Sequence, residues 1–329
     1  MLEEKEVDFE GRAQPYQKLE LVGLTGEKKG QKIVVENGDM PLANVVKYKK
    51  YDKVVIIKNE DFGGRPVYLI GDSVRRDGLL LLLVIFVVGA LAVTKWRGLG
   101  AIVSMVFSFL VIFKLVLPQI LGGADPVGVA IIASALIIPV TFYLSHGFSK
   151  KTTVAIAGTF LALVFTGLLA KLFIQLTYLH GFSSEEASFL SIDQSGVINM
   201  SGLLLAGIVI GALGVLDDVT VSQAAVVEQL LTVAPKKPRV WEIFSKAMVV
   251  GRDHIASMVN TLILVYAGAS LPLLLIFINN PHPFAEIINY EFVAEEIVRT
   301  LVGSIGLIVA VPITTLIACW VVGGKNEKR

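Results

Sequence analysis

Asp217 and Asp218 stand side by side directly after an apolar run, Val197–Leu216, that is long enough to cross a bilayer. Carboxylates in such a place hold a cation, carry a proton or lock onto a buried base, because a charge without a partner there is expensive. A second cluster, Arg252-Asp253-His254, opens the next spanning segment. Ser257, Asn260 and Thr261 follow Asp253 at i+4, i+7 and i+8, which puts all four on one helical stripe. Asp217, Asp218 and Asp253 are therefore candidate ion-binding or coupling carboxylates. Asn260 and Thr261 would add neutral oxygens of the kind that hard cations such as Mg2+ or Mn2+ take. Arg252 is the natural charge partner of the aspartate pair, and His254 a proton acceptor. Plainer roles compete with these: Asp253 as a helix cap, the aspartate pair as a solvated helix end, His254 as a polar interfacial residue.

These groups depend on apolar helices to position them. The chain has 329 residues, 54% hydrophobic and only 17% charged, more apolar than a soluble domain. Seven runs read as spans: Leu79–Thr94, Gly98–Leu117, Val127–Leu144, Thr152–Leu176, Val197–Leu216, Ile255–Ile278 and Thr300–Val322. Gly207-x-x-x-Gly211 is a small-residue face for close helix packing. Pro272 and Pro312 predict kinks or unwinding, and Gly303, Ala310, Thr314 and Thr315 make a small face on the last helix. Val240–Val250, with Trp241 and Phe244, reads as a helix lying in the interface. Lys114 and Lys171, near span ends, snorkel or form an anion site. Cys319 lies in an apolar run and reads as a small hydrophobe.

Lysine and arginine mark alternate connections: Lys95 and Arg97; Lys150 and Lys151; Lys236, Lys237, Arg239, Lys246 and Arg252; and the tail with Lys325, Lys328 and Arg329. The intervening connections are acidic, with Asp125, then Glu185, Glu186 and Asp193, then Glu286, Glu291, Glu295 and Glu296. The positive-inside rule then places the C-terminus in the cytoplasm and the N-terminal part outside. Residues 1–78 contain no run able to act as an anchor. A domain placed outside implies an eighth, upstream span or a reverse-anchoring first span.

The N-terminal part divides into a flexible segment, 1–14, and a small β-domain, 15–74, ahead of the helical membrane domain, 75–329. Lys18–Val22, Lys32–Glu36, Val54–Ile57 and Val67–Ile70 read as strands, with a hairpin loop at residues 26–30 and a turn at Asn37-Gly38. A small barrel or sandwich fits. It contains no metal-ligand spacing, phosphate loop or nucleophile arrangement. The fold class is thus mainly α, a polytopic helical domain of seven spans preceded by a small extracytoplasmic β-domain.

Two stretches carry a family likeness. Gly211-Ala-Leu-Gly-Val-Leu-Asp-Asp-Val-Thr-Val-Ser-Gln-Ala224 and Gly251-Arg-Asp-His-Ile-Ala-Ser-Met-Val-Asn-Thr-Leu-Ile-Leu-Val-Tyr-Ala-Gly-Ala-Ser-Leu-Pro272 resemble the signature stretches of the YibE/F-like family of bacterial membrane proteins. The resemblance covers roughly residues 79–323. It implies a cytoplasmic-membrane location and an extracytoplasmic β-rich domain set between a first helix and the rest. It implies no established reaction, and transport is only a common supposition about the family.

The leading expectation is a secondary transporter or permease, with a cation or proton bound on the cytoplasmic side and no resident cofactor. The runner-up is a scaffold or receptor subunit whose outer domain binds an envelope partner. A membrane enzyme ranks last, for want of a His-rich metal motif or a Ser/His/Asp arrangement, and the last helix has no lysine to hold retinal. The partners expected are the bilayer and a second copy or another membrane protein. A net charge of +1 gives no reason to expect nucleic acid. No internal repeat stands out, which counts against an inverted-repeat transporter.

Overall fold

A computed structural model describes the chain except residues 10–11, 42–44, 61–62, 194–196, 235–237, 279–281 and 324–329. The loop lysines Lys236 and Lys237 and the tail residues Lys325, Lys328 and Arg329 therefore fall within the excluded stretches. The chain divides into two compact units, Met1–Gly89 and Ala90–Arg329.

The first unit carries five strands: β1 Glu3–Phe9, β2 Arg12–Val22, β3 Lys32–Asn37, β4 Val54–Glu60 and β5 Pro66–Ser73. They form two antiparallel sheets, β1-β2-β3 and β4-β5, instead of one closed barrel. Residues expected to be flexible form β1, which pairs along β2 from Glu3–Lys18 to Phe9–Arg12. Tyr16, Leu19, Ile33 and Val35 form its apolar core. Glu36 lies opposite Lys18 across β2–β3, and the Lys18 ammonium, 2.9 Å away, with help from Tyr16, holds its carboxyl below the usual range. Gly38 turns the chain with φ +86°, a conformation glycine adopts without strain. Gln17 is buried and clamps the chain at Tyr48, donating to the Tyr48 carbonyl (3.1 Å) and accepting from its N–H (2.8 Å). Gln17→Leu leaves both backbone groups without that partner. It should lower the unfolding free energy of this unit by about 2 kcal/mol, measurable as an earlier thermal transition in the purified chain; an unchanged transition would show the clamp to be dispensable.

Helices follow: α1 Arg76–Thr94, α2 Trp96–Val111, a single π-helical turn Ile112–Val116, α3 Leu117–Leu121, α4 Pro126–His146, α5 Lys150–Leu176, α6 Glu185–Asp193, α7 Met200–Val233, α8 Val240–Ala269, α9 Leu271–Ile278, α10 Phe284–Ile287 and α11 Glu291–Gly323. Among the described residues, seven helical stretches are long and apolar enough to cross a membrane. The π turn ends two residues before Pro118, whose missing N–H breaks the ordinary ladder. Side chains cap the central helices: Asp125 accepts from Gly128 N–H, Ser149 from Thr152 N–H and Asn199 from Gly202 N–H.

Three boundaries differ from the sequence reading. α7 does not end at Leu216 but runs on through Asp217 to Val233. Val240–Val250 is no separate interfacial helix; it is the first part of α8, which continues unbroken through Arg252-Asp253-His254 to Ala269. The break comes at Ser270, and Pro272 sits at the start of α9, whereas Pro312 lies within an uninterrupted α11. Carboxylates interrupt an apolar run without interrupting helical hydrogen bonding, and Val219–Val233 contains neither glycine nor proline.

In the second unit α5, α7 and α11 pack on one another at the centre, with α4 and α8 against them. Ala155, Ala162, Val219, Val227, Leu307 and Ala310 are completely buried there.

Candidate functional site

Three contacts fix the depth of Asp217. α5 and α7 run antiparallel, with Lys151 Nζ 3.1 Å from Glu228 Oε2, Thr159 Oγ1 2.6 Å from Thr220 Oγ1, and Gly167 against Val209. The uncharged stretch of α5 lies between Lys151 and Lys171, centred on Leu161. By the register of these contacts Asp217 and Asp218 stand level with that centre. The aspartates thus sit at half depth in the bundle, not at the edge where the sequence reading put them.

Asp217 is half-buried, and its Oδ1 is fully enclosed with no hydrogen-bond partner among the described residues. Asp218 is exposed on the α7 stripe that carries Gly207, Gly211 and Gly214. One turn on, Thr220 is completely buried, its hydroxyl within reach of Thr159 Oγ1 and, at 3.2 Å, the Asp217 carbonyl. Gln223, also buried, donates to the Ala247 carbonyl at 3.1 Å. Gly251 leaves room for it: a Cβ there would meet Val311 and the Gln223 amide.

Close packing occurs where α5 crosses α11. A Cβ built on Gly158 would collide with the Thr314 side chain, and one built on Gly306 with Thr166. Gly158, Ala162 and Thr166 repeat the spacing of Gly306, Ala310 and Thr314, so the contact reads the same from either helix, with the two buried alanines at its centre. The Thr166 hydroxyl donates to the Ala162 carbonyl at 2.7 Å, whereas Thr314 Oγ1 is buried without a partner among the described residues. Ala310 and Thr314 are legible in the sequence as a small face; their counterparts on α5 are legible only once the same spacing is sought in both helices.

Cavities lie on either side of this level. One of about 400 Å3 is lined by Asp125, Lys171, Tyr178, His180, Asn199 and Ser201, and one of about 220 Å3 by His146, Lys151, Val221, Ser222 and Ala225. Lys171 thus faces a cavity, and Lys114 is exposed within the π turn. At the Lys171 end Glu291 accepts from the N–H groups of His180 and Gly181. Glu295 is buried with one oxygen unpartnered, 4.0 Å from Arg299 through the other. Loop charge alone had not singled out Glu295 and Arg299.

The remaining sequence candidates are not gathered at Asp217. No ion pair or side-chain hydrogen bond among the described residues joins Arg252, Asp253 or His254 to Asp217 or Asp218. Asp253, Asn260 and Thr261 are exposed on α8, and His254 is half-buried. A Cβ on Gly207 would meet nothing, and one on Gly211 only the Tyr266 hydroxyl at 3.7 Å, so this glycine pair is not used for tight packing within the chain. The described residues contain no cluster of three or more His, Cys, Asp or Glu that could hold a metal.

The family model of YibE/F-like proteins matches residues 82–324, which includes every helix of the bundle from α2 to α11. The chain belongs to the YibE/F-like family. The match takes in both aspartates, the glycine-threonine crossing and the polar stretch of α8, which therefore lie in the YibE/F-like part of the chain. The β-strands lie outside it. No curated protein and no solved structure gives a significant match.

Proposed function

We propose that this YibE/F-like protein is a secondary transporter or permease for an ion or small solute, with Asp217 as the group that binds and releases the coupling proton or cation. The observation that carries the reading is the enclosed, unpartnered Oδ1 of Asp217 at half depth. A carboxylate there takes a proton or a cation as its missing partner. Asp218, exposed on the same turn, provides a second carboxylate on the route, and Thr220 and Thr159 supply neutral oxygens nearby. Cavities at both ends with the carboxylate between them suit alternating access. The inverted α5–α11 contact has the local symmetry that rocking transporters build on. No catalytic reaction and no resident cofactor is assigned. The test is flux into proteoliposomes, read with pH- and cation-sensitive dyes across a panel of ions: flux in the native chain and none in Asp217→Asn supports the reading, and equal flux in both removes Asp217 from the mechanism.

We place the Lys150–Lys151 end of the bundle in the cytoplasm and the β-strands outside, in a bacterial cytoplasmic membrane. Protease added to sealed right-side-out cells should then cleave within Met1–Ser73; cleavage only in inverted vesicles would reverse the orientation.

A second reading, a scaffold or receptor subunit, draws support from the separate β-strand unit, which is compact by itself. In that case the native chain carries no flux with any ion.

A further inference from the structure

Two opposite charges line the larger cavity without pairing with each other. Asp125 caps the start of α4 through Oδ2, and Asn199 caps the start of α7 through Oδ1. A Cβ on Gly202 would come within 3.5 Å of Pro126, so the two helices begin side by side at the cavity. Lys171 and Gln175, one turn apart near the end of α5, form another wall, and Tyr178 lies beyond them. Among the described residues Lys171 forms no ion pair, with Asp125 or with any other carboxylate, and the side chains of Gln175 and Tyr178 form no hydrogen bond. The ring of His180, also in the lining, stands 3.7 Å from Glu291. One ammonium, one carboxylate and the polar groups of Gln175, Asn199 and Tyr178 are therefore presented to about 400 Å3 of open space.

We propose that this cavity binds a small zwitterion, its oxyanion held by Lys171 and its ammonium by Asp125. The lining disfavours simpler ligands. A metal ion would face Lys171 and find a single carboxylate, already bonded to Gly128 N–H, where hard cations take several oxygens. A plain anion would gain Lys171 and the positive ends of α4 and α7, but would stand against Asp125. A molecule carrying both charges satisfies both walls and replaces the ion pair that Lys171 and Asp125 do not make. Gln175, Asn199 and Tyr178 supply neutral hydrogen bonds around it. The volume suits a ligand the size of an amino acid, at the small end of ligand pockets. A free amino acid and the phosphoethanolamine head of a membrane lipid share this chemistry. Lys171 lies about 8 Å from the end of α5, within reach of either. With the transporter reading, on which this step rests, the cavity becomes the outer station of the solute. Binding itself is measured without flux, so either reading can fail alone.

Equilibrium dialysis of the purified full chain, in lipid-free detergent, against a mixture of labelled amino acids tests the proposal. Saturable binding is expected, displaced by unlabelled amino acids and not by acetate or methylamine at equal concentration. Lys171→Met and Asp125→Asn should each weaken it about tenfold, the loss of one hydrogen bond to a charged group. Asparagine still caps α4, and Lys171 has no ion-pair partner among the described residues, so both variants should keep the native thermal transition. If amino acids do not bind, but the native chain retains phosphatidylethanolamine over phosphatidylglycerol in native mass spectra and both variants lose that preference, the zwitterion is a lipid head. Binding of neither, displacement by acetate as strong as by amino acids, or binding unchanged in both variants would overturn the proposal.

Discussion

Asp217→Asn should abolish ion flux in proteoliposomes and leave the fold as stable as before or more so. The two halves of this expectation have one origin. Oδ1 of Asp217 is enclosed and finds no donor among the described residues, so the carboxylate contributes no hydrogen bond there that the amide would lose. Removing a charge that lacks a partner is neutral or gains on the order of 1 kcal/mol. A group that weakens its own helix bundle is retained for what it does, the trade-off common at functional sites. Flux, by contrast, needs a group that gains and loses a proton or cation, which an amide does not. Dye-reported flux should fall to that of empty vesicles, while thermal unfolding in detergent stays level or shifts upward. If Asp217→Asn instead unfolds earlier and conducts normally, the carboxylate is a structural clamp and Asp217 has no part in the transport.

Gly306→Ala should destabilise the bundle by about 1–3 kcal/mol, since an added Cβ enters the space held by the Thr166 side chain and a packed core absorbs such an insertion poorly. The diagnostic result is its rescue. Thr166→Ala clears that space at the expense of one hydrogen bond to the Ala162 carbonyl. The double variant Gly306→Ala/Thr166→Ala should therefore be more stable than the two single effects added together, with a coupling of roughly 0.5–3 kcal/mol. The reciprocal pair, Gly158→Ala/Thr314→Ala, should show stronger rescue, because the Thr314 hydroxyl has no partner to lose. Strict additivity in both pairs would show that α5 and α11 do not meet at these residues.

The seven spans were legible in the sequence because hydropathy alone specifies them, and four of the five strands followed from alternation and turn signals. Depth was not legible. Asp217-Asp218 follows one apolar run and Arg252-Asp253-His254 precedes another, and a reading by hydropathy takes the edge of a run for the edge of a helix. Backbone hydrogen bonding continues through both clusters, so the aspartates came to rest at the middle of α7 and Arg252 inside α8. The pairing of Gly158 with Thr314 and Gly306 with Thr166 was hidden for a different reason. It joins residues far apart in the chain, and each glycine taken singly is only a small residue in an apolar helix. Strand β1 was overlooked because it opens on four consecutive charged residues, Glu3 to Glu6, with only Val7 and Phe9 apolar, and its ordering comes from pairing with β2 more than from burial.

α7 is a single rod of 34 residues, about 51 Å long, against a hydrocarbon core of ~30 Å. Asp217 and Glu228 lie about three turns and 16 Å apart along it, at almost the same angular position. Glu228 is held by Lys151 at the start of α5. Because no break separates the two carboxylates, a roll of the helix that swings Asp217 also swings Glu228, and in the same direction. The ion pair at the lysine end is thus held in fixed angular register with the carboxylate at the centre of the bundle.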